Sequence, residues 1–323
     1  MSSAGAVRMS DEQKNRLHES LRRNLGTQIL GALTNPDVIE IMLNPDGSIW
    51  FDYLGSGLEF SGYKMLPSQA QLVLQDVAAM LGAVVNRDNP IVEGELSLDG
   101  SRFEGLAPPV VVAPSFAIRK RASRVFTLDD YVAKNILSEG QASFLRQMIK
   151  ASKNILVVGG TGSGKTTLLN ALLDEVAKVA PQERMVIIED TVELQCPIPN
   201  LVQMRTSDSM DMTRLLRATM RMRPDRICVG EMRGKEALAL LKAWNSGHSG
   251  GFATIHADST TDALSKLDEY VQEAGVPTKM ALITRAVHAV VFIEKVEGSR
   301  QVKELVNVTG YDRESNLPIL EFV

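Results

Sequence analysis

A glycine-rich loop near the middle of the chain has the residue types and spacing of a phosphate cradle. Residues 159–166 read GGTGSGKT, the pattern of a glycine-lined loop that ends in lysine and threonine. Glycines let the backbone wrap around phosphate oxygens, so that successive N–H groups point inward. The candidate phosphate contacts are Gly159, Gly160, Thr161, Gly162, Ser163, Gly164, Lys165, Thr166 and Thr167.

Two side chains of this loop add chemistry that the backbone lacks. Lys165 is expected to reach the β- and γ-phosphates of a nucleoside triphosphate, and the Thr166 hydroxyl is expected to ligate Mg²⁺. The loop stands between the apolar run NILVV and a helical pattern, the strand–loop–helix setting in which such loops bind nucleotide. The sequence therefore predicts a Mg²⁺-dependent ATPase with ATP and Mg²⁺ as its cofactors.

Carboxylates follow two further apolar runs. Glu189 ends MVIIE, and Glu231 follows ICVG, where Gly230 holds the position that an aspartate usually occupies. Parallel strands deliver such residues to the ligand crevice at their carboxyl ends. One carboxylate can orient the attacking water while the other holds the Mg²⁺ shell. Both are candidate catalytic and metal residues, and the sequence leaves open which of them activates water.

Histidines and arginines complete the set of candidates. His248 and His256 flank a glycine-rich turn and the strand-like run FATIH, where they could sense the γ-phosphate; a structural role is the alternative. Arginine suits bidentate phosphate binding and contacts across an interface, although solvated arginines and structural ion pairs are common. The arginine candidates are Arg217, Arg221 and Arg233 in the second half and Arg102, Arg119 and Arg121 in the first.

Apolar patterns around these residues predict the elements that position them. In the second half, the strand-like runs NILVV, RMVIIE, RICVG and FATIH alternate with amphipathic helices, which indicates a mainly parallel sheet covered on both faces. Its tail adds the strands VVFIEKV, VKELVNV and LPILEFV. In the first half, Ser10 and Gln13 form a capping box that opens a helix. Strand-like runs follow that helix, among them 110–112, together with a second helix over 67–84.

These patterns predict two domains. Residues 1–125 form a smaller α+β domain with 1–10 disordered, residues 126–138 form a linker, and residues 139–323 form an α/β P-loop domain. The first helix carries Leu17, Leu21, Leu25, Ile29 and Leu33 on one face, which indicates packing on its own domain; a membrane or partner surface is the alternative.

Bulk composition excludes several classes of protein. The net charge of −4 argues against a surface that grips nucleic acid throughout, although a local basic cluster of Arg119, Lys120, Arg121 and Arg124 remains. No run approaches the roughly 20 apolar residues that a membrane span needs. The two cysteines form no CxxC pair, which fits a reducing cytoplasm.

The order of the motifs resembles one family, the secretion traffic ATPases. GGTGSGKTT, IIEDTVEL, RMRPDRICVGEMRG and SGHSGGFATIHADS are similar to its Walker A, Asp box, atypical Walker B and His box, and the resemblance covers nearly all of residues 100–310. It implies a RecA-like ATPase domain, a homo-hexameric ring of two-domain subunits, ATP bound between the domains, and docking on membrane components at the cytoplasmic face of the inner membrane.

The resemblance also implies roles for single residues. Lys165 and Thr166 match the phosphate and Mg²⁺ residues, Glu189 the acid proposed to activate water, and Glu231 the Walker B acid. Among the arginines, Arg102 and Arg119 match first-domain residues that reach the nucleotide, and Arg217 and Arg233 match arginines of the ring. FAIRKR departs from the commoner Arg-Lys-Pro ending, because Arg121 replaces the proline.

Within the family, the absence of a tetracysteine insert and of a long N-terminal region favours the conjugative type IV secretion branch. A pilus extension or retraction ATPase shares the chemistry and is the alternative. A nucleic-acid-dependent P-loop motor is a remote one, because aromatic residues make up only 5% of the chain and stacking on single strands needs them. We expect no sequence-specific binding of nucleic acid. A non-enzymatic scaffold would require the acidic strand ends to be inert.

Overall fold

The computed structural model describes residues 10–53, 57–121, 125–207, 209–296 and 299–323. Two predictions fall partly outside these ranges, the disorder of residues 1–10 and the basic cluster that includes Arg124. The chain divides into two compact units, 1–124 and 125–323. None of the described helices is long and apolar enough to cross a membrane.

The first unit places two helices on one antiparallel sheet. Its elements are α1 (Asp11–Thr34), β1 (Val38–Leu43), β2 (Ser48–Tyr53), β3 (Gly57–Lys64), α2 (Pro67–Met80), β4 (Ile91–Glu95), β5 (Arg102–Leu106) and β6 (Ser115–Arg119). The strand order is β3-β2-β1-β6-β5-β4. Cross-strand pairing sets Arg102 directly opposite Arg119, so two of the candidate arginines are neighbours on the sheet.

Helix α1 begins at the predicted capping box. The Gln13 N–H donates to Ser10 Oγ at 3.2 Å, and the Ser10 N–H donates to Gln13 Oε1 at 2.9 Å. Leu21, Leu25 and Ile29 are buried in the core of the first unit, so the apolar face packs on its own unit as predicted. The helix is kinked at Gly26, whose φ of +75° lies in the left-handed region that favours glycine.

The second unit is an α/β assembly. Its elements are α3 (Leu128–Ala133), α4 (Glu139–Lys150), β7 (Ile155–Val158), α5 (Lys165–Val179), β8 (Met185–Glu189), β9 (Leu201–Arg205), α6 (Met212–Thr219), β10 (Arg226–Val229), α7 (Glu236–Trp244), β11 (Phe252–Ile255), α8 (Thr260–Gln272), α9 (Met280–Ala286), β12 (Ala289–Val296), β13 (Ser299–Asp312) and β14 (Leu317–Phe322).

These strands form one mixed sheet in the order β14-β13-β12-β7-β11-β10-β8-β9. The ladders from β12 to β9 are parallel, and β12-β13-β14 is an antiparallel extension. Strands β7, β8, β10 and β11 are buried along their whole length, with one hydrophobic cluster on each side of the sheet. The parallel ladders and the two hydrophobic clusters confirm the α/β class with a mainly parallel sheet. Coverage on both faces is why these strands are mostly apolar along their length.

Several elements differ from the sequence predictions. Residues 110–112 form bends and not a strand, since Pro108 and Pro109 just before them have no N–H to give to a ladder. Helix α2 ends at Met80 instead of Val84, because Gly82, with φ of +71°, terminates it. Helices α4 and α9 and strand β9 were not predicted.

Candidate functional site

The glycine-rich loop joins the central strand β7 to the helix α5. Strand β7 lies between β12 and β11, so the loop leaves the carboxyl edge of the parallel sheet, where α/β proteins bind ligands. Gly164 is the residue before α5 and has a φ of +100°, and Gly162 has a φ of +69°. Both conformations favour glycine, so the loop's composition matches its backbone.

Close packing restricts Gly159 in another way. A Cβ there would overlap the carbonyl oxygen of Ile293 on β12 and would lie 2.6 Å from Ser163 Oγ. Ser163 is itself buried, and its hydroxyl has no hydrogen-bond partner among the described residues. The start of the loop is therefore packed closely against β12. The Ser163 hydroxyl, which has no hydrogen-bond partner among the described residues, lies beside the loop backbone that would face phosphate.

The Lys165 amine is directed toward the inside of the loop. The residue is only 8% exposed, and its Nζ donates to the carbonyl oxygens of Gly159 and Gly160, both at 2.9 Å. Nζ also lies 3.2 Å from Nδ1 of His256. The Lys165 ammonium, which is predicted to bind phosphate, is thus positioned by two carbonyl groups of the loop that follows β7.

His256 connects Lys165 to Glu231. Nε2 of His256 lies 2.5 Å from Oε1 of Glu231, an oxygen with no hydrogen-bond partner of good geometry in the described chain. Since Nδ1 faces an ammonium donor, we assign Nδ1 as the acceptor and place the imidazole proton on Nε2, toward the carboxylate. Burial and the nearby Lys165 charge lower the pKa of His256, and Glu231 offsets this in part. The lowered pKa favours the neutral imidazole.

Arg233 occupies the other oxygen of Glu231. Its Nε lies 3.0 Å and its Nη2 2.5 Å from Glu231 Oε2, and its Nη1 lies 3.7 Å from Asp190 Oδ2. The Arg233 side chain is 59% exposed, so its guanidinium can exchange these partners for others. Lys165, His256, Glu231 and Arg233 thus form a continuous polar chain at the carboxyl ends of β10 and β11, and we call it the Glu231 cluster.

Glu189 has different surroundings, although it too ends an apolar strand. It is 3% exposed, and its Oε1 accepts hydrogen bonds from the backbone N–H groups of Glu193 at 3.0 Å and Leu194 at 2.8 Å. Its Oε2 accepts from Gln203 Nε2 at 2.7 Å. Burial raises the pKa of Glu189, and these three hydrogen bonds lower it in part. This Glu189 cluster ties the end of β8 to the segment 193–194 and to β9.

The packing of Glu189 explains the glycine that precedes Glu231. A Cβ on Gly230 would lie 2.9 Å from Glu189 Cγ and 3.5 Å from its Oε1. Glu189 ends β8, and Gly230 directly follows β10, the adjacent parallel strand. An aspartate at position 230 would need the space that Glu189 fills, so the acid of this strand is displaced by one residue to Glu231.

The remaining candidates lie apart from the Glu231 cluster or in the other unit. Nδ1 of His248 contacts the Pro224 carbonyl oxygen at 3.0 Å, a contact that suits a structural role. Arg217 lines a groove of about 1240 Å³ between α6 and α7. Arg121 pairs with Glu95 in the first unit at 3.1 Å. Arg221 is exposed beyond the end of α6.

No cluster of three or more His, Cys, Asp or Glu side chains in the described ranges could hold a metal ion by itself. The residues present nonetheless fit Mg²⁺ of the nucleotide-bound kind, which is held by one or two protein oxygens together with phosphates and water. The Thr166 hydroxyl at the start of α5 and the half-buried Glu231 carboxylate are such oxygens.

Three residues of this region were not among the sequence candidates. Gln203 donates to Glu189, Asp190 accepts from Thr206 Oγ1 at 2.9 Å, and Arg300 lies against Gly164. Asp190 adjoins a predicted site residue and could have been found from the sequence. Gln203 lies on β9, a strand that was not predicted, and Arg300 lies on β13, which reaches the loop only through the pairing of β12 with the distant strand β7.

Comparison with known proteins supports one family. Residues 100–308 match the family described as "Type II/IV secretion system protein". The conjugal transfer protein TrbB of Rhizobium radiobacter is 47% identical, over 92% of this chain and 91% of that protein. The type IV secretion system protein PtlH of Bordetella pertussis is 33% identical, over 85% of this chain and 91% of that protein.

Solved structures share the fold. The ATPase DotB of Legionella pneumophila has a TM-score of 0.62 at 15% identity and covers 96% of this chain and 84% of that one. The pilus retraction motor PilT has a TM-score of 0.59 at 17% identity, with 91% and 81% covered. Because the family match spans most of the chain and the relatives exceed 30% identity, this protein belongs to the type II/IV secretion system protein family, as the order of its four motifs predicted.

Proposed function

We propose that the protein is the ATP-hydrolysing motor of a conjugative type IV secretion system, which powers assembly of the mating channel or transfer through it. The observation that carries the chemistry is the Glu231 cluster at the mouth of the glycine-rich loop. The observation that favours conjugation over pilus movement is the 47% identity to a conjugal transfer protein across nearly the whole chain.

Residues 159–167 hold the phosphates of ATP, with Lys165 on the β- and γ-phosphates. For this, the amine must leave the carbonyls of Gly159 and Gly160, to which it donates in the present conformation. The exchange replaces neutral acceptors with charged phosphate oxygens, which form stronger hydrogen bonds with an ammonium. Thr166 and one of the two carboxylates would hold Mg²⁺, which would supply positive charge against the charge that develops on the phosphates.

Glu231 is the better placed of the two acids to act at the γ-phosphate. Glu231 contacts His256, which contacts Lys165, whereas the Glu189 carboxylate accepts its hydrogen bonds from its own segment and from β9. In this proposal Glu231 orients the attacking water or the Mg²⁺ shell. The neutral His256 contacts both Lys165 and Glu231, and it couples nucleotide binding in the loop to the position of the Glu231 carboxylate. Glu189 supports the site by fixing the segment that follows β8.

The arginines and the assembly follow from family resemblance. We propose a homo-hexamer at the cytoplasmic face of the inner membrane, docked on membrane components of the transfer apparatus. The two compact units then correspond to an N-terminal domain and a RecA-like ATPase domain. Arg102 and Arg119 would supply positive charge to the nucleotide from the N-terminal domain. Arg217 and Arg233 would act across the ring, since an arginine supplied in trans accelerates phosphoryl transfer by about 10³–10⁵-fold.

The proposal is tested by complementing a transfer-deficient strain while measuring Mg²⁺-dependent ATP turnover of the purified protein. Wild-type protein should restore both, and Lys165→Ala should restore neither. Lys242→Ala, which removes an exposed lysine of α7, is the matched control and should behave as wild type. Wild-type turnover without restored DNA transfer, together with restored pilus movement in a pilus-deficient host, would favour the pilus motor instead. Stimulation of turnover by single-stranded DNA would favour the nucleic-acid-dependent motor.

A further inference from the structure

The guanidinium of Arg300 lies beside the last glycine of the phosphate loop. A Cβ built on Gly164 would lie 2.8 Å from Arg300 Cδ and 3.0 Å from its Nε. Gly164 directly precedes the first residue of α5, so the arginine side chain passes over the N-terminus of that helix. No sequence pattern suggested this contact, because Arg300 follows Gly164 by more than a hundred residues.

The sheet, and not the loop, fixes the position of Arg300. Strand β13 pairs with β12, where Arg300 is opposite Lys295, and β12 pairs in parallel with β7, the strand that leads into the loop. Further along β13, the Val302 N–H donates to the Ile136 carbonyl at 2.9 Å. The backbone at Arg300 is thus fixed by pairing with β12 on one side and by the hydrogen bond to the segment after α3 on the other.

Among the described residues, this guanidinium has no partner of opposite charge. No ion pair joins Arg300 to a carboxylate within the described residues, and its buried Nε has no hydrogen-bond acceptor there. The neighbouring Tyr131 is buried and offers no negative charge: burial raises the pKa of its hydroxyl, which the positive charge of Arg300 lowers only in part. A buried N–H donor without an acceptor costs free energy, so an anion that bound here would recover that cost.

The loop itself indicates which anion this is. Lys165 contacts the carbonyls of Gly159 and Gly160 at the beginning of the loop, and such a lysine serves the β- and γ-phosphates. Arg300 lies against Gly164 at the end of the loop, where backbone N–H groups and the start of α5 cradle the α- and β-phosphates. Arginine is well suited to this, because its planar donors can bind phosphate oxygens in pairs.

We propose that Arg300 binds the α- and β-phosphates of the nucleotide, the part that ATP and ADP share, and so acts as a nucleotide-binding residue supplied by the β12–β13 hairpin. The inference rests on the proposed ATPase function. Its consequence is that the loss of the γ-phosphate does not release this contact, so Arg300 should hold ADP as firmly as ATP.

The test is calorimetric titration of ADP, ATP and adenosine into wild type, Arg300→Gln, Arg300→Lys and Arg313→Gln. Arg313 lies exposed in the turn between β13 and β14 and serves as the matched control. Arg300→Gln should raise the Kd for ADP and for ATP by the same factor, about 10- to 100-fold for a lost charge-assisted contact. Arg300→Lys should recover part of the affinity, and adenosine should bind all four proteins alike.

A Kd for ADP within about twofold of wild type in folded Arg300→Gln overturns the proposal, as does an equal loss for adenosine, which would place the side chain on the base or ribose. Unfolding midpoints show whether Arg300→Gln is folded. If it is not, Arg300→Lys decides. An affinity of Arg300→Lys for ADP equal to that of wild type overturns the proposal, and an affinity weakened by more than about twofold supports it. If wild type itself binds neither ATP nor ADP, the ATPase proposal fails. If wild type binds and hydrolyses ATP while Arg300→Gln behaves identically, only the present inference fails.

Discussion

The Glu231 and Glu189 clusters begin from the same sequence signature, an acid at the carboxyl end of an apolar parallel strand, and differ in what surrounds that acid. Glu231 is half-buried and bonded to charged or titratable side chains that can exchange partners. Glu189 is buried and bonded to backbone N–H groups and to one amide. Strand position therefore brings an acid to the ligand edge of the sheet, while the neighbouring elements decide whether its carboxylate is available for chemistry.

The largest effect should come from the residue that both the loop and the Glu231 cluster share. We expect Lys165→Ala to lower ATP turnover by at least about 10²–10³-fold, because a positioned donor to the transferring phosphate is lost. The unfolding midpoint should change little, since the amine bonds carbonyls of the surface loop and His256 and is not part of either hydrophobic cluster. Steady-state turnover and urea unfolding measure the two quantities. Near-normal turnover would contradict the assignment of the loop.

Glu231→Gln should have an effect of similar size on turnover, and it tests the comparison between the two clusters directly. The amide keeps the shape of the carboxylate but loses its basicity, so turnover should fall by about 10²–10⁴-fold while ATP still binds. Asp190→Asn is the matched control, since Asp190 is an exposed acid near Arg233, and it should lose less than about tenfold. If Glu231→Gln turns over normally and Glu189→Gln does not, the two clusters must exchange roles.

Glu189→Gln should act mainly on stability. Whichever way the new amide is turned, its NH₂ group faces N–H donors of Glu193 and Leu194 or of Gln203. A buried donor left unsatisfied costs about 1–3 kcal/mol, which should appear in the free energy of unfolding from urea titrations. Turnover at a temperature where the variant is folded should change less than in Glu231→Gln. An unchanged free energy of unfolding would contradict the proposal that the Glu189 cluster stabilises the fold.

The dependence of stability on pH should separate the clusters by sign, with the smallest effects of the series. His256 has a lowered pKa in the folded state, so the unfolded chain binds more protons and stability should fall as pH drops below about 6.5. Glu189 has a raised pKa, so the folded chain keeps its proton longer and stability should fall as pH rises above 4.5.

Urea titrations at several pH values, compared between wild type, His256→Gln and Glu189→Gln, measure the two contributions as differences. His256→Gln should remove the loss of stability that occurs as pH falls below about 6.5. Glu189→Gln should remove the loss of stability that occurs as pH rises above 4.5. Two difference curves of the same sign would show that the environments of the clusters are not distinct.

The sequence predicted the sheet and the loop because both depend on local patterns. Four buried strands are mostly apolar, and the glycines of 159–164 match a backbone that glycine favours. It named both His256 and Glu231 as candidates, but it did not predict their contact. It could not distinguish Glu189 from Glu231, because the difference depends on Gln203 and the segment 193–194. Nor could it find Arg300, whose contact with Gly164 is made through strand pairing between distant parts of the chain.

The collision between a Cβ at position 230 and the Glu189 side chain has a consequence for how this site can change over evolution. Gly230→Asp would introduce the more common acid, but only into space that Glu189 already occupies. The two positions are therefore epistatic. Gly230→Asp alone and a shorter residue at position 189 alone should each be harmful, whereas Gly230→Asp should be tolerated in a protein whose residue 189 is shorter than glutamate. The displaced acid at Glu231 and the buried acid at Glu189 would then be inherited as a pair.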